Sequence, residues 1–169
     1  MTPLRTATLP RPEPGAGYTL AIALMAPLSR GTVRLAGSVP GAAPVIDPRY
    51  YSHRRDVDTM VTGLRAARKL AAAPAFAPWR GTEAQPGAEV RTDDELRAYV
   101  LRSLRSFHHY AGTCRMGSDD DAVVDTDLRL RGMQGLRVVA ASVMPTPVSA
   151  PTNATVYAIA ERAADLVRA

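Results

Sequence analysis

His109-Tyr110-Ala111-Gly112-Thr113-Cys114-Arg115-Met116-Gly117 is the stretch on which the reading of this chain turns. It sets an imidazole directly before a run of small residues, where backbone and a ligand can approach each other closely. Histidine is the side chain type suited to proton exchange near neutral pH, and the chain has three, His53, His108 and His109. Of these, His109 has the access that a general base needs. A histidine satisfied on a strand edge is the plainer alternative, and residue type alone favours it.

Outward from that stretch, the pattern is strand pair, helices, short strands, helix. Tyr18 to Met25 is an apolar run of strand length, Pro27 to Gly31 a turn, and Thr32 to Ala36 alternates Val33 and Leu35 against Arg34. Together they predict a hairpin. Val45 to Tyr51 reads as short and extended. From Asp56, Met60, Leu64, Ala67 and Leu70 recur at three- and four-residue steps, with Arg54, Arg65 and Arg68 elsewhere on the wheel, which predicts an amphipathic helix of about five turns. Residues 74 to 91 read as a loop anchored by Trp79. Thr92 followed by Asp93, Asp94 and Glu95 is a helix start, and Leu96, Tyr99, Val100 and Leu104 form the stripe it buries.

Beyond Gly117, Val123 to Val124, Leu128 to Leu130 and Leu136 to Ala140 read as short strands divided by Gly132 and Gly135. Ser149, Thr152 or Asn153 caps a closing helix whose apolar face is Val156, Ile159, Ala160, Ala163, Leu166 and Val167. The fold class expected is α+β, an antiparallel sheet with flanking helices. Residues 1–16, rich in Pro, Thr and Arg, read as a flexible lead-in to one domain over 17–169.

Composition narrows the classes. The 169 residues are 46% hydrophobic and 22% charged, the balance of an ordinary folded chain rather than a fibrous or multi-span membrane protein. The net charge is +5, and of the 21 basic residues only Lys69 is lysine. The arginines are scattered and not interleaved with stacking aromatics, so no nucleic-acid partner is expected. The apolar run Tyr18 to Leu28 follows Arg5 and Arg11 as in a secretory leader, but Glu13 and the prolines at 3, 10, 12 and 14 spoil that pattern. It is also short of the ~20 apolar residues of a membrane span. Cys114, the single cysteine, has no partner for a disulfide or a thiolate metal site, which fits a reducing, cytoplasmic setting and a small apolar role.

No metal is expected. Asp119, Asp120, Asp121, Asp125 and Asp127 lack the glycine bend and closing Glu of a calcium loop and read as a solvated turn. The Pro-, Ser- and Thr-rich Pro145 to Asn153 feeds the closing helix, whose unpaired N–H groups favour a negative ligand edge; simple capping is the alternative.

In order along about nine tenths of the chain, these segments resemble the C-terminal part of the glucose-methanol-choline (GMC) flavoprotein oxidoreductases, choline dehydrogenase among them. The likeness runs through Pro27-Leu28-Ser29-Arg30-Gly31-Thr32-Val33, Ile46-Asp47-Pro48-Arg49-Tyr50, Gly63-Leu64-Arg65, Asp93-Asp94-Glu95-Leu96 and His109 to Gly117. It continues through Val124-Asp125, Gly135-Leu136-Arg137-Val138-Val139, Ala141-Ser142-Val143-Met144-Pro145, Asn153 and Ala158-Ile159-Ala160-Glu161-Arg162. The resemblance implies an FAD-dependent enzyme that oxidises an alcohol. In it the histidine at the position of His109 takes the hydroxyl proton while hydride leaves the carbinol carbon for flavin N5. It further implies that Ala140, Ala141, Pro151, Thr152 and Asn153 lie where the chain touches FAD. The closing helix would pack on the FAD domain and aim its N-terminus at the pyrimidine end of the ring.

Three departures accompany the likeness. The family's second polar catalytic residue, His or Asn, falls ten residues before Glu161, and here that position is Pro151. Either His109 works with less help, or Asn153 substitutes for it by a local shift. The Asp that usually precedes the Ala-Ser pair is Ala140. No glycine-rich strand-to-helix fingerprint occurs in the sequence, so the expectation is a chain that begins inside the substrate domain and has little activity without an FAD-domain polypeptide. The competing expectation is a non-catalytic module that keeps the fold and binds a small molecule or a partner chain.

Overall fold

The computed structural model describes residues 17–168, and the lead-in expected over 1–16 lies outside them. The chain forms two units, one of residues 17–24 and 50–107, the other of residues 25–49 and 108–168.

The first unit is built on two helices, α1 (Arg54–Ala71) and α2 (Asp93–Arg102). Both start where side chains satisfy orphan amides. The His53 ring Nδ1 accepts from the Arg55 N–H at 3.2 Å. At α2 the Thr92 hydroxyl accepts from the Glu95 N–H, while the Glu95 carboxylate accepts from Thr92 and Arg91 N–H at 2.9 and 2.8 Å. Those amides hold the Glu95 carboxyl below the usual range. The core is Val57, Val61, Val90, Leu96 and Val100, with Tyr51, Met60, Leu64 and Tyr99 packed around it. Burial and, secondarily, the Asp56 carboxylate raise the Tyr51 phenol.

The length of α1 agrees with the five turns expected, but its buried line is displaced. Val57, Val61, Leu64 and Arg68 face inward, and Leu70 is exposed. Arg68 ends the stripe half-buried because its head finds four acceptors. Nε donates to both Glu83 carboxylate oxygens at 3.0 and 3.1 Å, and the two terminal nitrogens donate to the Val90 and Gly87 carbonyls at 2.7 and 2.9 Å. This guanidinium, not Trp79, fastens the segment after α1. Trp79 is 75% exposed at the end of a 3-10 turn over Pro74–Trp79, and Phe76 of that turn stacks on Tyr18 instead. On the outer side, Arg97 reaches from α2 to Asp58 of α1 and to Asp94 at about 3 Å, and Arg65 of α1 bonds Asp93.

Tyr18 to Met25 is not a strand. It keeps the alternation of one, with Leu20, Ile22 and Leu24 half-buried and Thr19, Ala21 and Ala23 exposed, yet it joins no ladder among the described residues. Ile22 lies so close to α1 that a Cβ on Gly63 would fall 2.6 Å from its methyl. The run is therefore anchored by side-chain packing.

In the second unit, β1 (Thr32–Arg34) pairs antiparallel with β2 (Val45–Asp47), Val33 opposite Ile46. The expected hairpin partner is thus replaced by a strand on the far side of a Pro- and Gly-rich loop. Leu35, 86% exposed, lies outside β1. The three short strands expected between Val123 and Ala140 are reduced to single-residue bridges, Met116 to Val124, Val124 to Leu130 and Arg129 to Arg137. Left-handed turns at Leu128, Gly132 and Gly135 reverse the chain before longer ladders can form. The α+β expectation holds in its coarse form, helices with an antiparallel sheet, but among the described residues that sheet is reduced to one small two-stranded ribbon. The closing helix α3 spans Asn153–Arg168 and lays Ile159 and Ala163 on a core of Val124, Leu128 and Val143. Ala160 and Val167, expected on that face, are exposed.

Replacing Arg68 by methionine keeps the stem and removes the head, leaving Glu83 and two carbonyls without their donor. The expected loss is about 2 kcal/mol, read as a lower urea midpoint at unchanged m-value.

Candidate active site

Small residues and backbone hydrogen bonds give the stretch from His109 to Gly117 its course. Gly112 turns the chain at φ +87°, a left-handed conformation open to glycine, and a Cβ there would face the Met144 and Pro145 carbonyls. The next residues then run along a 3-10 turn over Ala141–Val143. The Cys114 N–H donates to the Ser142 carbonyl at 2.9 Å and the Met116 N–H to the Val143 carbonyl at 2.8 Å. Gly117 N–H continues to the Val124 carbonyl at 3.1 Å. Val143 and Val124 are fully buried, so these bonds sit on the core of this unit.

The arrangement sets His109, half-buried, beside the start of α3. Its Nδ1 lies 3.1 Å from the hydroxyl oxygen of Thr152, which is only 6% exposed. Thr152 is the hinge into the helix, since its carbonyl accepts the first helical bond from the Val156 N–H at 2.9 Å. The amides of Asn153, Ala154 and Thr155 precede that bond and lie at the positive end of the helix dipole. His108, also at positive φ, presents its ring edge-on to Tyr110 with centroids 6.2 Å apart.

Of the candidate residues, the structure joins His109 to Thr152. Asn153 is the first helical residue, its side chain exposed, and no hydrogen bond links it to His109 among the described residues. Pro151 is exposed immediately before the hinge. Ala140, extended and exposed, and half-buried Ala141 lead into the 3-10 turn. The sequence marked Thr152 as a cap or a cofactor neighbour; its bond to an imidazole 43 positions away has no sequence signal.

Around this centre, Asp119 closes the stretch by accepting a two-pronged bond from Arg115 and a bond from the Asp121 N–H. The guanidinium holds the Asp119 carboxyl down to about 2. Asp125 accepts from the Asp127 and Arg129 N–H groups, each at 2.9 Å. These aspartates serve turns. Cys114 is a free, half-buried thiol. No cluster of three or more His, Cys, Asp or Glu suited to a metal ion, and no helix long and apolar enough to cross a membrane, is found among the described residues.

The backbone that carries this arrangement matches solved protein structures. The chain superposes on pyridoxine 4-oxidase from Mesorbium loti with a TM-score of 0.78 at 41% identity, covering 83% of this chain and 28% of that one. It superposes on an FAD-dependent oxidoreductase from Chaetomium thermophilum with a TM-score of 0.79 at 37% identity, covering 85% and 25%. These matches define the fold as that of the C-terminal part of an oxidoreductase. Residues 27–160 match the family model described as GMC oxidoreductase. The chain belongs to that family and constitutes its C-terminal domain. Choline oxidase of Arthrobacter globiformis is 44% identical over 156 residues, 90% of this chain and 29% of that protein. The chain therefore spans less than a third of the length of the relatives it matches.

Two outcomes test the local geometry. Gly112→Ala forces a side chain into left-handed backbone and costs about 1–2 kcal/mol, measurable by thermal unfolding. The Asp119 carboxyl titrates near 2 rather than 3.8. A carboxylate with a depressed folded pKa stabilises the fold above its ordinary range and loses that contribution as pH falls through the depressed value. Carbon-detected NMR titration of Asp119 reads this directly, and Arg115→Leu should return it towards 3.8.

Proposed function

We propose that this domain carries the proton-accepting side of an FAD-dependent alcohol oxidation, with His109 as the base. The observation that supports it is the His109–Thr152 pair at the start of α3. One ring nitrogen is held by the protein, which leaves Nε2 to take the proton of a substrate hydroxyl. As that O–H is deprotonated the carbinol C–H becomes a better hydride donor, so a positioned imidazole lowers the barrier by assisting the bond that must break. FAD, when bound, would supply the hydride acceptor.

The chain's own atoms suit the ring end of such a cofactor. The amides of Asn153, Ala154 and Thr155 gather positive potential where a reduced ring carries negative charge. Ala140, Ala141 and Gly112 keep backbone approachable, and Pro151, Thr152 and Asn153 border the same helix start. The sugar and phosphate contacts belong to a flavin-domain partner or further chain. The exposed apolar face of α3, Tyr157, Ala160 and Val167, is the surface offered to it. On this reading the 169 residues alone turn over little or no alcohol, and Cys114 keeps its thiol in a reducing, cytoplasmic setting.

A second reading, a binding module without catalysis, is favoured by Pro151 and Ala140, which stand where the resemblance to the family implies polar groups. Co-expression with a GMC flavin domain separates the two. The enzyme reading expects a yellow complex whose alcohol-dependent flavin reduction falls by about a hundredfold or more in His109→Ala. Ligand binding without flavin uptake is the module's outcome.

A further inference from the structure

We infer that Thr152 is the positioning residue of the site: its hydroxyl oxygen accepts a hydrogen bond from His109 Nδ1–H, so that Nε2 is the unprotonated nitrogen. The inference rests on His109 acting as the base, and it assigns to Thr152 the orienting work for which Pro151 has no suitable group.

The argument begins with what a neutral imidazole can do. One ring nitrogen carries the proton and the other the lone pair, and the partner of the first decides which is which. A base whose Nδ1 faces the protein needs an acceptor there, since a donor would claim the lone pair and leave Nε2 protonated. Thr152 Oγ1 is the group at hydrogen-bond distance, 3.1 Å. It is buried, so water does not compete freely for the bond.

Thr152 is also fixed by its backbone. Its carbonyl accepts the first bond of α3, and the preceding residue is a proline with φ locked near −65°. The hydroxyl therefore stands on a rigid mount. At the other end, Gly112 and the bonds from Cys114 and Met116 fix the loop that carries His109. A proline side chain offers neither donor nor acceptor, so position 151 cannot hold the ring by a hydrogen bond. Position 152, one residue further, meets the ring's inner nitrogen.

The test is nitrogen-15 NMR of the histidine rings in the full 169-residue chain, well above histidine's ordinary titration range. In the native sequence His109 should show a pyrrole-like Nδ1 bearing a slowly exchanging proton and a pyridine-like Nε2. Thr152→Val, similar in shape but without the oxygen, should shift the ring to the Nε2–H form, and Thr152→Ser should restore the native pattern. An Nε2–H tautomer in the native chain, or an unchanged ring in Thr152→Val, overturns the assignment. Far-UV circular dichroism reports whether Thr152→Val folds. Should it not, the native spectrum decides, because a protonated and exchange-protected Nδ1 supports the bond and its absence removes it.

In the co-expressed complex, Thr152→Val should lower kcat about a hundredfold with KM nearly unchanged, and Thr152→Ser should recover most of it. A proportional loss of folded complex at native kcat would mark a merely structural threonine and overturn the role. The two readings fail separately. Tautomer changes as stated with full activity in His109→Ala would end the base reading and leave the hydrogen bond standing, whereas the reverse would leave the base and remove Thr152.

Discussion

The geometry of the site depends on two backbone bonds, from Cys114 and Met116 N–H to the carbonyls of Ser142 and Val143. They lay the loop after His109 along the turn that leads to α3, and so bring into one place residues more than 40 positions apart. Neither segment has regular structure long enough to hold itself, and each backbone group left unpaired at that depth would carry a desolvation cost. Paired, they become a two-rung clamp resting on Val143 and Val124, both fully buried. The imidazole is set by the core through that clamp, although it lies on a loop.

The helices were legible because their information is local. Thr92 and Glu95 announce α2 within four residues, and the three- and four-residue steps after Asp56 announce α1. Even so, periodicity misplaced the inner face of α1 slightly. A pattern of apolar residues gives no weight to Arg68, whose half-buried head is held by acceptors on Glu83, Gly87 and Val90. Trp79 misled for the converse reason: size suggests burial, but nothing in a sequence says which of two neighbouring aromatics meets Tyr18.

Strands were less legible because a ladder is a relation between distant residues. Tyr18 to Met25 has the alternation of a strand, and the structure honours it in burial while pairing β1 with β2 across an intervening loop. Between Val123 and Ala140 the apolar runs are real. The left-handed residue Leu128, which is not glycine, gives no local warning that the chain turns there. His109 was legible as an accessible histidine beside small residues, and the family likeness gave it a role. Its partner was not, since threonine before a helix ordinarily reads as a cap.

A proline before a helix is compatible with the chain direction, but it withdraws one side chain able to hold an imidazole. The hinge has one buried hydroxyl, that of Thr152, and it lies within hydrogen-bond distance of the ring. In this structure that hydroxyl pairs with His109 Nδ1, and the amides that open α3 lie at the positive end of the helix dipole. The arrangement leaves the helix start electropositive and the imidazole restrained by a buried neighbour.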